Sequence, residues 1–297
     1  PTTMSTPISA KLVAELRART GAGMMDCKKA LEETNGNIDD AVVNLRKKGI
    51  AKAEKRAGRA ASEGQIITLI SPDNTSGAMI ELNCETDFVA RTDDFKGVAT
   101  SIAKHVAQDT SVNGLLIVGT EDAYLQNKWS QGGGTLGEVV KATSAKTGEN
   151  VVLRRVVRFS TNGGTIGSYL HFNGKVGVLT EIEGGSGNGI AQLAKSVSEH
   201  VAAGVPAVAV AVDKDGVDER LVERERAIYA EQAASSGKPA NIVEKMVNGR
   251  LEKFFAEVTL LNQPWVRDEA KTIKQLVGEG GKGLTVKRFT RFQMGEE

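Results

Sequence analysis

Chemistry-bearing side chains are sparse in this 297-residue sequence, which has two cysteines, three histidines and only 4% aromatic residues. Cys27 and Cys84 stand far apart with no CxxC spacing, and His105, His171 and His200 are equally scattered. Such spacing offers neither a disulfide framework nor a zinc site, so no metal and no cofactor is expected. No apolar run approaches the ~18 residues of a membrane-spanning helix, and residues 1–10 lack the basic start and apolar stretch of a secretory signal. A soluble, cytoplasmic protein with no membrane partner is expected. Charge of one sign is not in excess either: 38 Lys and Arg face 37 Asp and Glu, which gives no global attraction to nucleic acid.

Catalytic signatures are missing as well. There is no GxxxxGK[ST] phosphate cradle, no GxSxG and no HExxH. The glycine clusters QGGGTLG at 131–137 and GGSGNG at 184–189 lack dinucleotide spacing and read as loops. Direct nucleotide binding and enzymatic activity are therefore not expected.

What is present is helical and strand periodicity over a length that suits about two compact units. Residues 1–50 read as three short helices. Ile8, Leu12, Val13 and Leu16 share a face of the first, Met24, Cys27 and Leu31 of the second, and Ile38, Ala41, Val42 and Leu45 of the third. Gly36 and Gly49 fall where helices would stop, and Asn37 where the third would be capped. The basic stretch RKKGIAKAEKRAGR at 46–59 follows, with residues 51–60 expected as a linker or solvated helix. No aromatics interleave its charges, which weakens an RNA-contact reading.

Beyond residue 60 the chain repeats itself. Phe95, Val98, Ala99, Ile102 and Val106 have the spacing of Ile190, Leu193, Ala194, Val197 and Val201, and the same offset aligns His105 with His200. Each helix follows two strand-like runs, 65–70 and 78–84 in one copy, 166–172 and 175–182 in the other, where Asn173-Gly174 suits a hairpin turn. A third strand ends each copy, LRRVVRF at 153–159 and VKRFTRF at 286–292. The fold class is thus α+β: a three-helix unit, then a duplicated antiparallel sheet with helices over 61–160 and 161–297. In the second copy, helix-like runs at 217–234 and 240–256 flank Ser235-Ser236-Gly237-Lys238-Pro239 and predict an inserted antiparallel hairpin, with Val217, Leu221 and Ile228 as a thin apolar seam.

His105 and His200 sit beside apolar helix stripes and read as helix-surface residues at a core edge. His171 ends a strand at the turn, where a ring could equally be a turn-edge residue or touch a partner. The stretch NCETDFV at 83–89 places Phe88 in a polar connection, where it could tuck under the next helix or stand out as an anchor. Asp87 could cap a turn.

RTGAGMMDCKKALEETNGNIDDAVVNLRKKG together with ELNCETDFVAR closely resembles the elongation factor Ts family, and the resemblance continues through Gly148-Glu149-Asn150, Gly167-Ser168-Tyr169, Asn262-Gln263-Pro264 and RFTRFQMGE. It implies a ubiquitin-associated-like first domain, a duplicated core, a hairpin arm, and the GTPase elongation factor Tu, GDP-bound or nucleotide-free, as partner. The implied function is promotion of GDP release and exchange for GTP. Thr86, Asp87, Phe88 and Val89 would reach toward the partner's magnesium site. Further contacts are implied at Arg17, Met24, Met25, Lys28, Asn83, Gly148, His171 and Val266. Met24 shares a stripe with Cys27 and Leu31, so Met25 is the better exposed candidate, and such methionines suit adaptable apolar contacts. Thr147 and Trp265-Val266-Arg267 depart from the family pattern. A basic RNA-binding module, resting on 46–59 and on Arg154, Arg155, Arg158, Lys287, Arg288 and Arg291, is the rival.

Overall fold

A computed structural model describes residues 8–119 and 123–296; residues 1–7, where the reading of the N-terminus largely falls, lie outside them. Three helices come first, α1 (Ala10–Thr20), α2 (Met24–Glu33) and α3 (Ile38–Glu54). Ser9 and Asn37 cap α1 and α3, their side-chain oxygens accepting from the Leu12 and Asp40 N–H groups. Val13, Leu16, Cys27, Ala30, Leu31 and Ala41 fill the space between the helices. Gly49 does not end α3, contrary to the sequence reading. A Cβ there would lie 3.0 Å from that of Ala145, so this glycine marks a close helix crossing rather than a stop.

The first copy of the core contains β1 (Glu63–Ile70), β2 (Ser76–Cys84), α4 (Asp87–Ala90), α5 (Asp93–Gln108), β3 (Gly114–Ile117), α6 (Leu136–Thr147) and β4 (Val152–Ser160). Its antiparallel sheet runs β1-β2-β4-β3. The second contains β5 (Thr165–Leu170), β6 (Val176–Glu183), α7 (Asn188–Ala203), α8 (Glu219–Ala234), α9 (Ala240–Val258), β7 (Pro264–Trp265), β8 (Asp268–Thr272), α10 (Ile273–Gly280) and β9 (Thr285–Gln293). Its sheet runs β5-β6-β9, with β7 and β8 as a separate ladder. The short strands β3, β7 and β8 carry no clear alternation in sequence and were not expected from it.

Strand alternation sorts the side chains into layers. From β2 and β4, Ala78, Ile80, Leu82, Leu153 and Val156 face α5, where Phe95, Ala99, Ile102 and Val106 meet them. From the same strands Met79, Val157 and Phe159 face the other way and pack on Ile166, Leu179 and Phe292 of the second sheet. Val178 and Ile182 carry the outer face of that sheet onto Ala194, Val197 and Val201 of α7. The order is helix, sheet, sheet, helix, so the two copies are joined through a sandwich.

Two details correct the sequence reading. His105 and His200 are buried, 5% and 1% exposed, because Trp129-Ser130 covers one helix and Gln263 through Val266 the other. Helix periodicity identifies the side a residue takes but not what a distant segment lays over it. In the hairpin, Val217 and Leu221 join the apolar seam as expected, but Ile228 is exposed, and Tyr229, Ala230 and Ala233 complete the seam against Val243, Val247 and Leu251.

Candidate functional site

Thr86 opens a four-residue helix, α4, by accepting the Val89 N–H on its hydroxyl. So short a helix has little stability of its own. Its support comes from Glu149, just past the end of α6. One Glu149 carboxylate oxygen accepts the Glu85 and Thr86 N–H groups at 3.0 and 3.1 Å, and the other accepts the Thr86 hydroxyl at 2.6 Å. The Asn150 N–H in turn donates to the Glu85 carboxylate at 2.7 Å. From the other side Gln65 donates to the Ala90 carbonyl at 2.9 Å. Val89 packs against the core and Ala90 is buried.

Phe88 is what this frame displays, with its ring 83% exposed. Of the two positions open to it, tucked or standing out, it takes the second. Asp87 is half-buried and paired with Arg91 at 2.9 Å. Cys84 lies beneath, its thiol donating to the Thr86 carbonyl, and burial, reinforced by the nearby Glu149 charge, pushes it up to about 12, so it stays a thiol.

A cleft of about 500 Å³ adjoins α4, lined by Glu63, Gln65, Asp87, Arg91, Asn173 and Lys175 among others. Across it stands the turn between β5 and β6. The Ile66 N–H donates to the Gly174 carbonyl at 3.1 Å, and Lys175 pairs with Glu63, so the turn is fastened to β1. His171 sits here with Nδ1 3.1 Å from the Tyr169 hydroxyl. Gly148 is exposed beside Glu149 at the left-handed end of α6, φ 76, with nothing within 4 Å of where a Cβ would be. Thr86 to Val89, Gly148 and His171 are thus grouped around one end of the core.

The helical module adds a groove of about 750 Å³ between α1 and α2, and Arg17, Met24, Met25 and Lys28 all line it. Met24 is 60% and Met25 65% exposed, so the inward position expected for Met24 is not found. As the first residue of α2 its side chain projects back beyond the helix end, past the reach of the bundle core. Residues of α3 and the following turn dock on α6 through Arg46–Glu138 at 2.6 Å, Lys141–Glu54 at 2.9 Å and Arg56 to the Ser144 carbonyl at 3.2 Å.

Two of the candidate residues stand apart from this grouping. Asn83 is 1% exposed, its amide donating to the Glu63 carbonyl and to Glu81, so its side chain is turned inward. Strand alternation across the bulge after Glu81 buries it between the sheets. Val266 is 40% exposed at the turn between β7 and β8, and its N–H donates to His200 Nδ1 at 3.1 Å. It shares no residue with the cleft.

The basic side chains of the sandwich are engaged internally. Arg155 pairs with Glu81 and Arg288 with Glu181, Arg158 donates to the Ala107 and Val112 carbonyls, Arg154 to that of Glu296, and Arg291 to Gln293 and Glu296. Lys287 lies near Glu181 and Glu183. Among the described residues no group of three or more His, Cys, Asp or Glu is placed to hold a metal, and no helix is long and apolar enough to cross a membrane.

Two sheet-and-helix copies sharing one sandwich, with a three-helix module docked on one and a helical hairpin inserted in the other, define the class as duplicated α+β proteins with helical appendages. Residues 85–296 match the family described as Elongation factor TS. The chain is 46% identical over 290 residues to Elongation factor Ts of Thioalkalivibrio sulfidiphilus, covering 97% of this chain and 92% of that protein. It is 45% identical over 294 residues to Elongation factor Ts of Clostridium acetobutylicum, covering 97% and 93%, and 44% identical over 289 residues to that of Methylococcus capsulatus, covering 97% and 92%. The chain belongs to the elongation factor Ts family.

Proposed function

We propose that this chain binds the GTPase elongation factor Tu and drives out its GDP, with Phe88 as the wedge. The observation that carries the reading is the exposed Phe88 ring on a helix held from both sides. Full burial of a phenylalanine is worth about 1.5–3 kcal/mol, and a chain that leaves one in water on a rigid support has an anchor ready for a partner. Asp87, beside it and half-buried, acts on the neighbourhood of the partner's magnesium, where a second carboxylate weakens the ion's hold on the phosphates. The groove of Arg17, Met24, Met25 and Lys28 supplies an adaptable apolar contact with a basic rim.

No covalent bond is made or broken in such an exchange. GDP leaves because the factor binds the nucleotide-free GTPase more tightly than the GDP form. A preference of about 10⁴-fold supplies about 5.5 kcal/mol; by linkage GDP weakens the factor's binding in equal measure, and incoming GTP weakens it by its own coupling. Rigidity in the wedge matters here, since a loose Phe88 would spend part of that difference on its own ordering.

Release of fluorescent GDP from elongation factor Tu, in excess unlabelled GDP, tests the reading. Catalytic amounts of this chain accelerate release, and Phe88→Ala reduces the acceleration at least tenfold. No acceleration with a cognate GTPase would overturn the function, while acceleration unchanged in the variant would move the wedge elsewhere.

The rival reading, an RNA-binding module, needs a free cationic stripe. Its six strand cations have internal partners, and in the 46–59 stretch Arg46, Lys48, Lys52 and Arg59 pair with Glu138, Glu33, Asp26 and Glu85. RNA affinity with a steep salt dependence would revive it.

A further inference from the structure

The most exposed large apolar side chain among the described residues is not Phe88 but Phe172, at 92%. It lies at the tip of the turn between β5 and β6, on the far side of the cleft that Asp87 and Arg91 line. Among the described residues the ring belongs to no hydrophobic cluster of the second copy. We infer that Phe172 is a second aromatic anchor of the same docking surface, entering an apolar socket on the GTPase while Phe88 wedges beside the nucleotide. The inference rests on the exchange reading above and extends it to a residue that the motif around Phe88 does not contain.

Three observations support it. The ring has an aromatic neighbour: it lies 4.5 Å from the His171 ring at 51°, and His171 is bonded to the Tyr169 hydroxyl. The turn beneath it is closed, with the Gly174 N–H on the His171 carbonyl at 2.8 Å and the Lys175 N–H on the Asn173 side chain at 3.0 Å. It is also fastened to β1 next to the Gln65 that supports α4, since Ile66 bonds Gly174 and Gln65 bonds Ala90. The two phenylalanines therefore stand on supports joined through neighbouring residues of one strand. Between them the cleft presents Glu63, Asp87, Arg91 and Lys175, two charges of each sign. Two exposed aromatics flanking a polar, charge-balanced cleft have the anatomy of interface hot spots with a polar surround.

The two anchors have different tasks, and that separates them in an experiment. Phe88 acts on the nucleotide site, so its loss lowers the rate of GDP release even when the factor saturates the GTPase. Phe172 only holds the complex together. Phe172→Ala should weaken binding to nucleotide-free elongation factor Tu about tenfold, mostly through faster dissociation, and leave the saturating release rate within twofold of the unsubstituted chain. Phe172→Leu, which keeps an apolar side chain, should lose less affinity than Phe172→Ala, and both variants should melt with the unsubstituted protein because the side chain is outside the core. Affinity of Phe172→Ala within twofold of the original would overturn the inference, as would a change in the self-association of the free chain with no change in GTPase binding. If the unsubstituted chain does not accelerate GDP release at all, the exchange reading fails and this anchor with it. If it does and Phe172→Ala binds equally well, only the anchor fails.

Discussion

Arg155 on β4 lies 4.3 Å over the ring of Phe292 on β9, a contact between the two copies of the repeat. It has a mate: Arg288 on β9 lies 4.1 Å over Phe159 on β4. Each arginine also reaches across its own sheet to a fully buried glutamate, Arg155 to Glu81 at 2.7 Å and Arg288 to Glu181 at 2.6 Å. Each then crosses the sandwich, to the Gln293 and Ser160 carbonyls. A bulge falls after the glutamate in both copies. Duplication has thus produced a reciprocal lock in which the arginine of either copy stacks on the aromatic of the other.

Removing one half of this lock should be costly. Arg155→Ala leaves the Glu81 carboxylate buried without its ion-pair partner, and should lower unfolding free energy by about 3–5 kcal/mol in a urea titration. Adding Glu81→Ala to Arg155→Ala should cost less than the two single changes summed, because the second removes the stranded charge. Additive losses would show that the pair does not act as a unit.

Two glycines give opposite expectations. At Gly167 a Cβ would come within 2.7 Å of the Ala194 carbonyl carbon and 2.8 Å of the Lys195 nitrogen, both backbone atoms of α7 that cannot step aside. Gly167→Ala should destabilise by about 1–3 kcal/mol. Gly97, on the exposed side of α5, has nothing within 4 Å, and Gly97→Ala should stabilise by about 0.5–1 kcal/mol through helix propensity. Thermal melts of the two variants should move in opposite directions.

How much of this was legible in the sequence follows from what periodicity can report. The paired helices α5 and α7, the six principal strands and the hairpin were readable because each carries its own hydrophobic pattern over many residues. The burial of His200 was not, since it depends on Gln263, which is distant in the chain. Met24 misled because a helical stripe does not say where the helix's neighbours end. At the site, Phe88 could be singled out as an aromatic in a polar connection but its outward position could not be decided. Its support was missed because Glu149 acts across 63 residues of chain. The exposure of Phe172 has a readable signal, an aromatic beside the Asn173-Gly174 turn.

The support of Phe88 can be tested at Glu149. Glu149→Ala removes acceptors for two backbone amides and a hydroxyl, so hydrogen exchange at the Glu85 and Thr86 amides should quicken while that of the central strands stays unchanged. The GDP release rate should fall several-fold although Phe88 is intact. Glu149→Gln keeps one acceptor oxygen and should recover part of the loss. If release is unaffected by the alanine variant while those amides exchange faster, order in α4 is not needed for exchange.

Lowering the pH should act through His200, whose protonation state is defined by its partners. The Gln263 amide nitrogen donates to the Ala207 and Glu257 carbonyls, so its oxygen faces His200 and must accept from Nε2. The Val266 N–H can only donate, so Nδ1 must accept. The ring is therefore neutral with its proton on Nε2. Burial lowers its pKa below the ordinary 6.5, with the Gln263 hydrogen bond opposing in part. Because the unfolded chain binds the proton more readily, the stability contributed by neutral His200 is complete above pH 6.5 and declines as pH falls from there through the depressed folded value. Buried His105, lowered by the same cause against the opposing charge of Asp109, adds to the same trend. Urea midpoints should drop between pH 7.5 and 5.5. His200→Gln, which has no proton to gain, should be less stable at pH 7.5 but lose less on acidification. Since a proton on Nδ1 expels the Val266 N–H, the turn between β7 and β8 should loosen first, seen as faster exchange at the Val266 amide. An acid response identical in the variant would assign the titration to other groups.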